Sequence, residues 1–298
     1  MKYSVIIPVK DEQENIKPLI DKIKEVLEDY EIIFIDDGST DDTYEEICKY
    51  DVKCIKFRRN YGQTAAMAAG FKYATGDIII SLDGDLQNEI SDITRLLSVM
   101  EEGYDCVCGW RRNRNDLLMK KIASRFANWL GRKLLKVPIH DSGCSLRVYK
   151  KECIKNLGLY GESHRYIPGI LYQKGYKIGE IVVTHHPRIH GKTKYGLKRI
   201  FHGFLDLLYI KFWDVYSSRP LHFFGKVGFL FYLFGGLIFI EQIYKAFKVG
   251  GLYIGPLLLL CVLFIILGTL LIFLGFLSEI LIRIYYKDKE YYEIESFK

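Results

Sequence analysis

The segment Asp83-Gly84-Asp85-Leu86-Gln87 carries the densest chemistry in this chain. Two carboxylates one residue apart can share one hard divalent cation, and a glycine between them keeps the turn tight. The preceding run, Asp77-Ile78-Ile79-Ile80-Ser81-Leu82, is short, apolar and rich in β-branched residues, which predicts a buried parallel strand. In an open α/β sheet, ligands bind beyond the carboxyl ends of the strands. Mg²⁺ held by one or two carboxylates keeps positions open for substrate phosphates, so the spacing points to a metal that grips a nucleotide diphosphate. A plain Asp-Gly turn fits the same residues, and an isolated Asp-X-Asp does not decide between the two.

The elements that would position this segment repeat upstream. Tyr3–Val9 reads as a first strand ending at Lys10-Asp11-Glu12, followed by a helical pattern from about Asn15 to Leu27. Glu31–Ile35 reads as a second strand ending at Asp36-Asp37-Gly38-Ser39, with Ser39 or Thr40 as the cap of the next helix. Val52–Phe57 is a third strand candidate, Gln63–Ala74 a helix and Asp77–Leu82 a fourth strand. Strands alternating with helices predict a parallel, doubly wound sheet. Three strands then end in acids, which places Glu12, Asp36, Asp37, Asp83 and Asp85 on one rim. Stray solvated acids have no reason to favour strand ends.

The 298 residues leave room for one large domain and an appendage, and the net charge of +6 is too small to imply nucleic acid. The seven cysteines form no Cys-x-x-Cys pair, which predicts reduced structural thiols in a cytosolic compartment. The N-terminus runs straight into a strand, so no signal peptide is expected. Between Arg111 and Lys136 stand nine basic residues and one acid, Asp116, interleaved with apolar side chains at helical spacing. The pattern suits a basic amphipathic helix on an anionic membrane surface, and equally a solvated helix packed on its own domain. Residues 221–243 and 254–282 are apolar enough, and at about 1.5 Å per residue long enough, to cross roughly 30 Å of hydrocarbon. The short linker between them makes a hairpin. Lysines and arginines flanking it predict that both chain ends face the cytoplasm. The aromatic, amphipathic stretch 196–220 suits a helix in the membrane interface, with packing against the sheet as the competing reading.

In their order along the chain, several motifs resemble a known family. They are Ile7-Pro8-Val9-Lys10-Asp11-Glu12, Asp36-Asp37-Gly38-Ser39, Arg58-Arg59-Asn60-Tyr61-Gly62-Gln63-Thr64-Ala65-Ala66 and Asp83-Gly84-Asp85-Leu86-Gln87. Asp141-Ser142-Gly143-Cys144-Ser145-Leu146-Arg147, His164-Arg165-Tyr166-Ile167-Pro168 and Arg188-Ile189-His190-Gly191-Lys192-Thr193-Lys194-Tyr195 continue the series. The set resembles inverting family-2 glycosyltransferases of GT-A fold, in the branch that glycosylates polyprenyl phosphates, of which dolichyl-phosphate mannose synthases and polyprenyl-phosphate glucosyltransferases are the best known.

The resemblance implies a Rossmann-like, mostly parallel α/β catalytic domain over 1–195, an interfacial helix over 196–220, a transmembrane hairpin over 221–285 and a cytoplasmic tail over 286–298. It implies transfer of a hexose from a nucleotide-sugar donor, GDP-mannose or UDP-glucose, to a dolichyl or undecaprenyl phosphate at the cytoplasmic face. Glu12 and Asp36 match positions that contact base and ribose, Pro8 shapes that pocket, and Asp37 and Asp83 join them at the donor. Asp83, Asp85 and Gln87 match the site of Mg²⁺ or Mn²⁺. Arg147, Arg188 and Lys194 match phosphate-binding positions. Asp85, Asp141 and Arg147 match the catalytic set, with Asp141 as an orienting group rather than a strong base.

A lipid phosphate with a second pKa near 6 is largely a dianion at neutral pH and needs no proton removed before it attacks. Two departures from the commonest family form stand out: Gly84 where alanine is frequent, and Cys144 where a bulky apolar residue is frequent. Other partners expected are the bilayer and, through the hairpins, a second copy of the chain. A processive polysaccharide synthase is the nearest alternative, but no Gln-x-x-Arg-Trp motif is present. An oxidoreductase would need Gly-x-Gly-x-x-Gly after the first strand, where Pro8-Val9-Lys10-Asp11-Glu12 stands. A membrane scaffold without activity gives no reason for Asp83, Asp85, Gln87 and Arg147 to coexist.

Overall fold

The computed structural model describes residues 2–112, 131–155, 157–159, 161–187, 205, 207, 209–212, 216, 219–251 and 255–285. The chain divides into two compact units, Met1–Ile210 and Lys211–Lys298. The division falls inside the stretch 196–220 that the sequence suggests as an interfacial helix.

The first unit is built on a seven-stranded sheet of order β3-β2-β1-β4-β6-β5-β7. Its strands are β1 (Tyr3–Val9), β2 (Tyr30–Asp36), β3 (Lys53–Lys56), β4 (Ile78–Ser81), β5 (Cys106–Trp110), β6 (Arg147–Lys150) and β7 (Ile178–Val182). The β1–β2, β1–β4, β2–β3 and β5–β7 pairs are parallel, whereas β6 runs antiparallel to both β4 and β5. The reading of a parallel sheet therefore holds for the first four strands, and one reversed strand interrupts it. In these antiparallel ladders Ser81 faces Arg147, and Arg147 faces Cys108.

Alternation along each strand sorts side chains to two faces. Val5, Ile7, Ile32, Phe34, Ile80 and Val148 point into a core closed by α1 (Gln13–Val26) and α4 (Asp92–Glu101), through Ile16, Leu19, Ile20, Ile93 and Leu96. The short α2 (Thr43–Ile47) adds Ile47 to that core. Ile6, Ile33, Ile35, Ile79 and Tyr149 point the other way, under α3 (Gln63–Tyr73) and α6 (Ile167–Gln173). A single turn, α5 (Lys151–Ile154), follows β6 and gives Cys153 and Ile154 to the same core. At about 25 cal/mol per Å², fully burying each of these aliphatic side chains is worth roughly 1.5–3 kcal/mol. Leu207 and Ile210, from the stretch read as interfacial, are buried in this second core, while Leu205 and Tyr209 are exposed. Leu135, at the described end of the basic segment 111–136, is buried there too. Residues 113–130 of that segment and 196–204 of the next lie outside the described residues.

The second unit contains α7 (Pro220–Val249) and α8 (Pro256–Tyr285), each 30 residues long. Proline starts each helix, where its missing N–H costs nothing, and Gly250 in the left-handed region ends α7. Both helices are long and apolar enough to cross a membrane, with mean hydropathy 1.9 and 3.3. Small residues let the two backbones approach: a Cβ on Gly268 would stand 2.9 Å from the Gly228 carbonyl oxygen, and Tyr232 shares a 2.9 Å hydrogen bond with Thr269. Phe229, Leu233, Leu237, Ile266, Phe273 and Ile284 face outward and exposed. An exposed apolar surface of that extent marks a face suited to lipid or to another protein surface. The tail 286–298 lies outside the described residues.

At the amino end of the sheet, Glu31 gathers hydrogen bonds from Lys53, the Ser4 hydroxyl and both the amide and hydroxyl of Thr75. Burial pushes its carboxyl up, but these donors outweigh burial and hold it down at about 2. A depressed carboxylate contributes stability above its ordinary value of 4.5 and loses it as the pH falls towards 2. Glu31→Gln is expected to destabilise the full-length protein in detergent by about 1–3 kcal/mol at pH 7. The deficit should shrink below pH 4.5, as followed by circular dichroism during chemical denaturation at both pH values.

Candidate active site

The strand order places β2, β1 and β4 side by side and parallel, so their carboxyl ends form one edge. β1 is where the order reverses, with β2 on one side and β4 on the other, the place where open sheets leave a crevice. Asp36 ends β2 opposite Val9 and is fully buried. Its Oδ1 accepts the Ser39 amide at 2.9 Å, and its Oδ2 is buried with no hydrogen-bond partner among the described residues. A buried acceptor without a donor is expensive, which marks Oδ2 as a place for a ligand's N–H or O–H. Glu12, buried at the end of β1, accepts Asn15 Nδ2 at 2.6 Å, while its own amide donates to Thr43 Oγ1 at 2.9 Å. Pro8 stands in β1 opposite Ile35.

Asp37 does different work. Its carboxylate accepts the amides of Tyr61 (2.6 Å) and Gly62 (2.9 Å) and Asn60 Nδ2 (2.9 Å), so it moulds the loop that enters α3. Burial pushes its carboxyl up, against the lowering effect of those amides and of Lys10. The loop delivers Gln63, whose Nε2 donates to Asp83 Oδ1 at 2.7 Å. Gly84 packs so tightly under β1 that a Cβ there would meet Val9 Cγ1 at 2.6 Å. Asp85 is buried and accepts the Gln87 amide at 3.1 Å, closing a turn with Leu86 at φ 58.

Gln87 is tied to an incoming strand. Its carbonyl accepts the His186 amide at 2.8 Å, and its Nε2 donates to the His186 carbonyl at 3.2 Å. Asn88 bridges His185, and Glu89 Oε2 meets His186 Nε2 at 2.8 Å. Chain 184–187 is thus zipped onto the turn after Asp85, immediately before Arg188 and Lys194, which themselves lie outside the described residues.

Two arginines divide differently from expectation. Arg111, counted in sequence with the basic helix, instead follows β5 directly with only 10 % of its side chain exposed. Its Nε and Nη2 grip the two oxygens of Asp141 at 2.8 and 3.0 Å, and its amide adds a third bond at 3.3 Å. Burial opposes its charge, but Asp141 and, more distantly, Asp83 raise its pKa further above the ordinary arginine value. Arg147, expected at the phosphates, is 2 % exposed and donates to the carbonyls of Ser142 (2.6 Å) and His164 (2.9 Å). Its contacts brace the 142 and 164 loops from beneath. His164 Nδ1 in turn shares a 2.6 Å hydrogen bond with Thr64 at the start of α3. Cys144 sits fully buried beside the pair, its thiol pushed up to about 12 by burial, so it serves as a small apolar filler.

The sequence could have flagged Arg111 as an arginine directly after the apolar run Cys106-Val107-Cys108-Gly109-Trp110, itself unread as a strand.

Among the described residues no three His, Cys, Asp or Glu side chains converge as a complete metal cage. Asp83 and Asp85 supply hard oxygens on one turn beside an open edge. That donor set suits a divalent ion completed by phosphate oxygens rather than one caged by protein. The residues therefore fit the metal the sequence suggests, with Gln87 engaged through its Nε2 at His186.

Comparison with known proteins agrees with this geometry. The family model described as Glycosyl transferase family 2 matches residues 4–158. A dodecaprenyl-phosphate galacturonate synthase of Rhizobium johnstonii is 38% identical over 97% of this chain and 90% of its own length. An undecaprenyl-phosphate 4-deoxy-4-formamido-L-arabinose transferase of Yersinia pestis is 35% identical over 95% and 89%. Among solved structures, glucosyl-3-phosphoglycerate synthase of Mycobacterium tuberculosis, in complex with Mn²⁺, UDP-glucose and glycerol 3-phosphate, superposes with a TM-score of 0.54. It shares 18% identity over 72% of this chain and 79% of its own. That likeness establishes the GT-A architecture of the first unit. With the acidic rim at the switch point and relatives matched along almost the whole length, the chain is a glycosyltransferase and belongs to glycosyl transferase family 2.

Proposed function

We propose that the chain transfers a sugar from a nucleotide-sugar donor to a polyprenyl phosphate at the membrane surface, with divalent metal and with inversion at the anomeric carbon. The observation that carries this reading is the edge shared by β2, β1 and β4, where a partnerless buried acceptor on Asp36 stands two strands from the Asp83-Asp85 turn. The spacing suits a ligand with a hydrogen-bonding nucleoside at one end and a diphosphate at the other. The names of the relatives and the two apolar helices support a lipid phosphate acceptor.

The nucleoside enters with Asp36 Oδ2 accepting a donor hydrogen from base or ribose, Glu12 alongside and Pro8 in the floor. Asp83 and Asp85 would hold Mg²⁺ or Mn²⁺, as Mn²⁺ accompanies UDP-glucose in the mycobacterial enzyme, and such an ion would supply positive charge at the donor diphosphate. Arg188 and Lys194, which follow 184–187 in the sequence, are the basic residues assigned to the donor phosphates. The acceptor oxygen forms a bond to the anomeric carbon as the bond to the diphosphate breaks, and no proton need leave the acceptor first. Asp141 is committed to Arg111 on both oxygens, which favours an orienting role over a base. Arg147 braces the loop that carries Asp141, through the Ser142 carbonyl. The catalytic unit and both termini face the cytoplasm.

The relatives' sugars broaden the donor choice beyond mannose and glucose to uronate and modified pentose donors. Membranes carrying the protein, incubated with labelled UDP-glucose, GDP-mannose, UDP-galacturonate and the UDP-linked formamido pentose, are expected to move one label into a polyprenyl phosphate. Failure of every donor would reject the reading. Asp85→Asn is expected to lower turnover roughly 10²–10⁴-fold, several kcal/mol of transition-state stabilisation, and to abolish Mn²⁺ binding seen by electron paramagnetic resonance.

Arg111 yields a separate expectation. Arg111→Ala leaves Asp141 as a buried, uncompensated carboxylate, at a cost of about 3–5 kcal/mol in unfolding experiments. Arg111→Lys keeps the charge but not the two-pronged grip, and should retain more of the stability than of the turnover.

A further inference from the structure

Glu180 lies on β7, at the edge of the sheet and opposite Cys108 of β5, away from the acidic rim. Its side chain is 7% exposed. One oxygen, Oε1, accepts two successive amides, His140 N at 2.7 Å and Asp141 N at 3.0 Å. The other, Oε2, meets His140 Nδ1 at 2.7 Å. The His140 ring stacks on Trp110, centroids 4.3 Å apart and planes 15° from parallel. Trp110 is the residue before Arg111. Asp141 Oδ1 also accepts the Gly143 amide at 3.0 Å.

These contacts close a ring. Two neighbouring amides converging on one oxygen fix the peptide plane that leads into Asp141, and hence the direction in which its side chain leaves the backbone. The stacked Trp110–His140 pair fixes the same loop against the strand that supplies Arg111. Arg111 then takes both oxygens of Asp141. Burying a second carboxylate so close to Asp141 is costly, and a loop needing only anchorage could be held by apolar packing at less cost. A geometry set to a fraction of an ångström does need such a support.

Resting on the transferase reading, we propose that Glu180 is a positioning residue for the reaction centre: through the amides of His140 and Asp141 it aims the Asp141 carboxylate and, with it, the Arg111 guanidinium. It touches neither donor nor acceptor.

The test compares Glu180→Ala, Glu180→Gln and Glu180→Asp in the full chain in detergent micelles. Glutamine keeps an oxygen where Oε1 accepts the two amides; aspartate keeps the charge but withdraws it by one methylene. Amide exchange at His140 and Asp141 is expected to quicken about 10-fold or more in Glu180→Ala and Glu180→Asp, and to stay near wild type in Glu180→Gln. With the donor found active, kcat should fall roughly 10–100-fold in the alanine and aspartate variants, the scale of lost outer-shell support. Donor KM should move less than about threefold, and glutamine should recover most of kcat. Unchanged exchange in the alanine and aspartate variants overturns the proposal, as does loss in glutamine equal to that in alanine. If the alanine variant does not fold, glutamine against aspartate decides the matter in the same direction. If no donor is turned over by the wild-type protein, the transferase reading fails, while the exchange comparison still decides the positioning.

Discussion

Mutual repulsion of carboxylates crowded at one edge is the constraint around which the first unit is organised. Parallel strands all end on the same side, so an acid after each of β1, β2 and β4 brings Glu12, Asp36, Asp37, Asp83 and Asp85 together. Such a concentration is tolerable only if hydrogen-bond donors are brought to it. The chain does this locally: Ser39, Tyr61 and Gly62 lend amides, and Asn15, Asn60 and Gln63 lend side-chain nitrogens. Loops after the strands are therefore shaped by the acids they surround. Asp36 Oδ2, buried and without a hydrogen-bond partner among the described residues, sits in the same crevice.

The two halves of the sheet divide the labour. The parallel half carries the acids suited to a nucleotide and its metal. The other half, entered through the reversed β6, carries Arg111, Asp141 and Glu180. The ladder that joins them pairs Ser81 with Arg147, so the base of the Asp83 turn and the brace beneath the Asp141 loop are neighbours in register. The zipper of 184–187 onto 87–89 joins the halves a second time, on the surface.

Much of this was legible in sequence because its signals are local. Tyr3–Val9 coincides with the strand read from the sequence, and the acidic ends of β1, β2 and β4 follow from strand periodicity alone. The apolar segments betray themselves by composition, and the helices run past the carboxyl ends of 221–243 and 254–282 because helix continues after hydrophobicity ends. What escaped depends on pairing between distant residues. Arg111 is 30 positions from Asp141, and Glu180 is 39. Beside eight nearby basic residues Arg111 looked like one more surface charge, and only the strand before it turns it inward. Arg147 was legible as important but not as buried, since nothing in a sequence distinguishes a guanidinium that reaches phosphate from one that reaches carbonyls.

The enclosure of Arg111 carries a last consequence, for the response to acidity. Held between Asp141 and the influence of Asp83, its guanidinium stays protonated at every pH a cell experiences. The positive charge beside the Asp83–Asp85 turn is thus a constant of the site rather than a variable. Acidity near neutrality also reaches the substrate, through the second ionisation of the acceptor phosphate near pH 6. Arg111 supplies a fixed charge, and the lipid brings a phosphate that titrates.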